Sequence, residues 1–230
     1  MSSFEEPQAF LQNFTGTARL FPLPNLVLFP HVMQPLHIFE PRYRELLAEA
    51  LTTDRLIVMG RLAPGWEKDY EGRPAVQPIA CLSQITTHHK LKNGAFNLLL
   101  LGVQRVRLVA ELEPRKSFRE VHVELCEDVY PDDETLHRKL RQGLRATLLE
   151  SLPRLPQAQE QIDQLLDGDL PLGILTDIIA YMLDINLDEK QRLLSEFNVH
   201  RRCQRLLAHL KRTVERAVVE TPFPPTFSSN

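Results

Sequence analysis

Five prolines threaded through otherwise apolar text constrain this chain more than any other feature. Residues 18–41 read ARLFPLPNLVLFPHVMQPLHIFEP, with Pro22, Pro24, Pro30, Pro35 and Pro41. Proline has no N–H for a sheet ladder, so one long central strand is excluded, and short strands, edges and turns kinked around a barrel-like body are predicted. Pro41 has a different use: its fixed φ and missing N–H suit the first position of a helix. Behind it Tyr43, Leu46, Leu47, Ala50 and Leu51 recur at helical spacing, while Arg42, Arg44, Glu45 and Glu49 take the other side. Glu40 stands at the entrance, where negative charge favours the helix dipole. Thr52, Thr53 and Asp54 end the helix, and residues 56–59 read as a strand for it to pack on.

The text on either side sets the fold class. The residues ahead of about Thr17 lack periodicity and read as a loosely held arm, whereas residues 62–78 are rich in Gly and Pro, a surface loop carrying the only tryptophan, Trp66. Residues 79–88 alternate as a strand, Asn93-Gly94 predicts a type I′ hairpin, and residues 96–101 form its partner. Gly102 breaks or bulges that strand. Beyond it Val106, Leu108, Ala110 and Leu112 form a core side opposite a wet side of Arg105, Arg107 and Glu111; Val121, Val123 and Leu125 mark a last strand. Six to eight short antiparallel strands are expected, closed or nearly closed because so many edges need partners.

After Tyr130 the period becomes helical. Leu136, Leu140, Leu144, Leu148 and Leu149 mark one helix, residues 157–166 a second, and Leu175, Ile178, Ile179 and Met182 a third. Asp188 caps a fourth carrying Leu193, Leu194 and Phe197. The fifth opens at Asn198 and carries Val199, Cys203, Leu206, Leu207, Leu210 and Val214. The fold class is therefore α+β: a β-rich barrel with one packed helix over residues 1–128, a helical bundle over 129–220, and a flexible tail over 221–230.

Several function classes are disfavoured. A net charge of −3 argues against nucleic acid or an acidic membrane surface as partner. The start, MSSFEEPQAF, is acidic where a secretory signal is basic and then apolar, which predicts a cytoplasmic protein. Cys81, Cys126 and Cys203 are far apart and read as reduced, mostly buried thiols, so no zinc site or disulfide is expected. No Gly-Lys pair occurs, hence no phosphate-binding loop and no nucleotide cofactor. His88 and His89 are strand neighbours pointing to opposite faces and cannot easily share a metal; His31 and His37 lack a third ligand. Cys81 with His88 is a weak nucleophile pair inside an apolar strand. The basic residues Arg201, Arg202, Arg205, Lys211, Arg212 and Arg216 read as a solvated helix face.

Four ordered segments, LFPLPNLVLFPHVMQPLHIFEPRYRELL, DRLIVMG, IACLSQITTHHKLKNGAFNLLLLGVQRVRLV and DEKQRLLSEFNVHRRCQRLL, resemble the amino-terminal substrate-binding (LON) domain of the ATP-dependent Lon proteases. The most specific block is Phe39, Glu40, Pro41, Arg42 and Tyr43 within IFEPRYR. The resemblance implies a PUA-like pseudo-barrel around one helix, followed by a bundle. It further implies a non-catalytic module, akin to the stand-alone bacterial members, that binds unfolded or apolar polypeptide or a protein partner. Trp66 and Tyr70, aromatics in a Gly/Pro loop, are the first candidates for that contact, with Phe29 and Met33 behind them. The loop could instead fold back and bury its aromatics. Rival readings are an oligomeric scaffold or adaptor, including a weak homo-oligomer, and an enzyme using His88, His122 or Asp128 as acid or base. Arg42 and Arg44 either pair with Glu45 or Glu49 or face a partner.

Overall fold

The computed structural model describes residue 11 and residues 14–70, 72–151 and 170–220, with side chains in the last helix described as far as residue 213. The helix expected over 157–166, the tail over 221–230 and most of the arm ahead of Thr17 lie outside the described residues. The elements run β1 (Thr17–Leu23), β2 (Met33–Ile38), α1 (Pro41–Thr52), β3 (Leu56–Arg61), a 3-10 turn (Trp66–Asp69), β4 (Ile79–Lys90), β5 (Phe96–Glu111), β6 (Arg119–Cys126), α2 (Glu134–Ser151), α3 (Leu172–Met182), α4 (Leu187–Leu194) and α5 (Val199–Glu220). The class is α+β, as expected.

The sheet order is β2-β5-β4-β3-β1-β6 with a further β5–β6 pairing, so five strands close on themselves and β2 is added outside. Closure needs a long strand: β5 spans 16 residues and pairs with β2 through Phe96–Leu101, with β6 through Arg105–Glu111 and with β4 along most of its length. Contrary to the all-antiparallel expectation, β1 and β3 are parallel, with Leu20 opposite Val58. Parallel neighbours need a long crossover, and the connection carrying β2 and α1 provides it. Pro35 lies in β2, which has one strand neighbour among the described residues; that is where a strand can lose an N–H without losing a ladder bond.

Gly102 does not break β5. Leu82 faces Gln104 while Ser83 faces Gly102, which leaves Val103 as the extra residue of a bulge. A Cβ at Gly102 would stand 2.0 Å from the Phe29 carbonyl oxygen, because the turn before β2 lies directly on this backbone: His31 N donates to Gly102 O at 2.8 Å and Gly102 N to Val32 O at 2.9 Å. The β4–β5 hairpin forms, but not through a type I′ turn. Only Gly94 has positive φ (81°); Asn93 instead accepts the Ala95 amide on its side-chain oxygen at 3.1 Å.

Strands β1 and β3 and the first half of β4 are buried on both faces. Leu20, Val58, Leu82, Val106, Val121 and Val123 fill one core cluster. Phe21, Ile38, Ile57, Met59, Leu98 and Leu100 meet Tyr43, Leu46 and Leu47 of α1 around a void of only about 10 Å³. Each fully buried Leu of this set is worth roughly 1.5–3 kcal/mol over exposure. Arg19 fastens the other end of α1, donating to Glu49 at 3.0 Å, Asp54 at 2.7 Å and Thr53 at 2.6 Å.

The described residues divide into two compact units: those up to Glu127 with Asp177–Ser195, and Asp128–Thr176 with those from Glu196 onward. In this grouping the second half of α3 and all of α4 go with the strands. Arg105 explains why. The alternation put it on a wet face, yet it is 2% exposed and donates to Asp177 Oδ2 at 2.8 Å and Leu194 O at 2.9 Å. Gln191 donates to Ile79 O at 2.8 Å, and Arg61 pairs with Asp188 at 2.7 Å. Asp188 is thus an ion-pair partner; Asn186 caps α4, accepting the Glu189 amide at 2.9 Å.

In the second unit α2 and α5 lie together, with Leu140, Leu144, Leu148, Val199, Leu206 and Leu210 buried and Cys203 Sγ 3.9 Å from Leu140 O. Asp133 and Asn198 cap these helices, accepting the amides of Leu136 at 2.8 Å and Arg201 at 3.0 Å. Two expectations fail here and in α3. Arg202 is not part of a solvated face: it is fully buried, donating to Asp128 at 2.8 Å and Thr176 at 3.1 Å. Met182, the last residue of α3, is 62% exposed and lies past the packed turns.

Candidate polypeptide-binding surface

Strand β2 alternates visibly: Met33, Pro35 and His37 are exposed while Ile38 is buried, and Leu36 and Ile38 both line the void beneath α1. Its second edge has no strand partner among the described residues. Met33 is 48% and Phe39 65% exposed, large apolar side chains at the two ends of this strip. His37, whose Nδ1 stands 2.7 Å from Asn97 Oδ1, stacks on Phe39 with ring centroids 6.0 Å apart.

The chain then turns into α1. Glu40 occupies the N-cap position with extended backbone (φ −64°, ψ 135°), but its side chain caps nothing. Its carboxylate instead accepts the Tyr70 hydroxyl at 2.9 Å and Arg42 Nε at 3.0 Å. Arg42 is thereby assigned to Glu40, not to Glu45 or Glu49, and its guanidinium lies over the rings of Tyr43 (4.8 Å) and Tyr70 (5.0 Å). Trp66 meets Tyr70 edge to face at 5.6 Å. The loop aromatics and the IFEPRYR block, read separately in the sequence, are one cluster.

Each candidate residue now has a place. Trp66 and Tyr70 are half-buried, between the two alternatives considered for their loop. Met33 is open to solvent. Phe29 is 0% exposed; its turn sits on Gly102, so the ring is core and not a contact surface. Among the block residues, Pro41 starts the helix and Tyr43 packs on Phe21 with centroids 4.1 Å apart, its hydroxyl donating to Pro22 O at 3.4 Å. Burial pushes the Tyr43 phenol to about 12, and burial together with the Glu40 hydrogen bond raises Tyr70, so both stay neutral. Arg44 reaches the β4–β5 turn, where a Cβ at Gly94 would lie 2.5 Å from its Nη2.

The acid–base candidates each have surroundings of their own. His88 is exposed opposite Leu98, His122 Nδ1 stands 3.0 Å from Thr17 Oγ1, and Asp128 is held by Arg202. Burial pushes the Cys81 thiol to about 12, which leaves no thiolate nucleophile near neutral pH. No group of three metal-ligating side chains gathers among the described residues, and none of their helices is long and apolar enough to cross a membrane. What the sequence reading missed is Phe39 as an exposed apolar residue and Arg105 as a buried cation. Phe39 offered one signal: it precedes a helix start and lies outside the α1 stripe.

The comparisons agree with this architecture. The family model described as the ATP-dependent protease La (LON) substrate-binding domain matches residues 17–212. Lon protease 1 of Bdellovibrio bacteriovorus is 26% identical over 211 residues, 90% of this chain and 26% of that protein. Lon protease 2 of Desulfotalea psychrophila is 27% identical over 207 residues, covering 87% and 26%. The chain thus spans about a quarter of the length of these curated relatives. Two solved structures share the fold: a Lon N-terminal domain protein from Xanthomonas campestris (TM-score 0.61, 24% identity, 84% of this chain and 97% of that one) and the N-terminal domain of a Mycobacterium avium complex Lon protease (TM-score 0.67, 14% identity, 85% and 98%). With the family model covering most of its length, the chain belongs to the LON substrate-binding domain family.

Proposed function

We propose that this protein is a non-catalytic, cytoplasmic module that binds extended apolar segments of unfolded polypeptide along the edge of β2 that has no strand partner among the described residues. The carrying observation is the exposure of Met33 at the start of β2 and Phe39 just past its end, on a strand with one edge unpaired among the described residues. An added strand gains main-chain hydrogen bonds whatever its sequence, while alternate side chains meet apolar anchors; that combination is sequence-tolerant and still prefers apolar text. Trp66, joined to the strip through Tyr70 and Glu40, is a third anchor, and its indole is a built-in reporter. Family membership supports the reading, since the family description is that of a substrate-binding domain.

Titrating a permanently unfolded, alkylated model protein while following Trp66 emission tests it. Saturable binding in the micromolar range is expected, weakened roughly tenfold by Phe39→Ala, the change expected for an anchor worth about 1–2 kcal/mol. Absence of binding at high micromolar concentration overturns the reading.

A further inference from the structure

Next to the Arg42–Tyr70 contact, the first turn of α1, the segment at Gly72 and Arg73 and the start of β6 with the connection before it enclose an open cleft of about 360 Å³. That is within the size range of small-ligand sites, about 300–1,000 Å³. Its walls carry Arg42, Arg73, Lys116 and Arg119, with Tyr43 and Phe118 among them, and among the described residues none that lines it is acidic.

Carboxylates hold these cations in place. Glu111 accepts Arg119 Nε at 3.0 Å and Nη2 at 2.6 Å and also takes Arg73 Nη1, while Arg119 Nη1 donates to Pro74 O at 2.8 Å. Lys116 Nζ donates to Glu49 at 2.6 Å and Glu120 at 2.9 Å. Burial alone would raise the Glu49 carboxyl, but Lys116 and Arg19 hold it below its ordinary value, so this brace stays ionised at neutral pH. Arg73 and Lys116 are the two most exposed cations, with side chains 34% and 33% accessible. Among the described residues Arg73 donates one side-chain N–H, to Glu111, and Lys116 two of its three, to carboxylates. Glu40, Glu49, Glu111 and Glu120 pair with the four cations, and Glu45 and Asp69 also accept from lining residues, Ser117 Oγ at 2.6 Å and Arg73 N at 3.3 Å, so the cations are not in excess. Attraction here therefore comes from oriented donors in a concave site, not from net charge.

We propose that this cleft binds carboxylate groups of the polypeptide, from Asp or Glu side chains or a free C-terminus. The proposal rests on the polypeptide reading above and gives it a substrate preference: an apolar segment on the β2 strip with an acidic group beside it. Arg42 connects the two regions, since it lines the cleft and also lies over Tyr70, which contacts Trp66. Arginine's planar fork matches a carboxylate, as the Arg119–Glu111 pair already shows.

The experiment uses the full chain and one extended apolar peptide in four forms: two flanking Glu or two flanking Gln, each with a free or an amidated C-terminus. The wild type should bind the acidic forms roughly tenfold tighter than the amidated Gln form, a gap of about two exposed charge-assisted contacts, and the gap should narrow in high salt. In the double variant Arg73→Gln/Lys116→Gln the ratio should fall toward one, with the thermal midpoint checked alongside. Preference for the flanking-Glu forms assigns side-chain carboxylates and preference for the free-acid forms the C-terminus; both support the proposal. Equal binding of all four forms overturns it. If no peptide binds, the β2 reading fails instead, and the cleft is judged by titrating N-acetyl-diglutamate against the Nε–H NMR signals of Arg73 and Arg119. Saturable shifts uphold the cleft; unmoved signals at high millimolar concentration overturn it.

Discussion

Arg105 places the heaviest demand on its surroundings of any residue in the first unit. A guanidinium 2% exposed must be matched by charge and hydrogen bonds, and Asp177, 1% exposed, matches it. Removing one partner strands the other charge, so Asp177→Ala should cost about 3–5 kcal/mol in a urea titration. The double change Arg105→Met/Asp177→Leu should restore most of that loss, because a buried pair is often worth no more than apolar side chains of similar size. A double variant as weak as Asp177→Ala would show that the pair supplies more than charge balance. The alternation around Arg105 could not reveal its burial. Arg107 has the same parity but is exposed, with Glu124 at 4.0 Å, and what separates the two is a helix more than seventy residues further along the chain.

At the level of elements, α1 was the most legible and its surroundings the least. Pro41 at the start and the stripe of Tyr43, Leu46, Leu47 and Ala50 are local signals, and all four stripe residues are buried. Leu46, 0% exposed, should cost about 2–5 kcal/mol as Leu46→Ala. Phe39→Ala, two residues before the helix, should stay within about 0.5 kcal/mol because that ring is 65% exposed. Thermal or urea unfolding of the two variants checks both expectations, and a large loss at Phe39 would make it a packing residue and weaken its role as an anchor. Strand pairing was harder to read. The sequence shows that β1 and β3 are strands but not that they run parallel, since pairing joins residues such as Leu20 and Val58 that no local pattern connects. The hairpin was read correctly as a hairpin and incorrectly as type I′, because Asn93 had a second option: its side chain could take the Ala95 amide.

Across the whole molecule, sequence order does not follow the compact units. Helix α4 belongs with the strands through Gln191 on Ile79 O and Arg105 on Leu194 O, so its amides should exchange with solvent as slowly as those of β4. Exchange measured by mass spectrometry or NMR would contradict this grouping if α4 opened long before β4. The candidate surface was likewise legible only in parts. Trp66, Tyr70 and Met33 were named from composition and position. Their connection to Glu40 and Arg42, the burial of Phe29 and the cationic cleft required distances between residues remote in sequence. By itself the sequence determined what depends on neighbours along the chain: the helix after Pro41, the strand alternation, the switch to helical period after Tyr130, and the family. Only the tertiary structure decided barrel closure, the parallel pair, the home of α4 and which charged side chains are buried, because each of these depends on contacts whose partners the backbone brings together only when it folds.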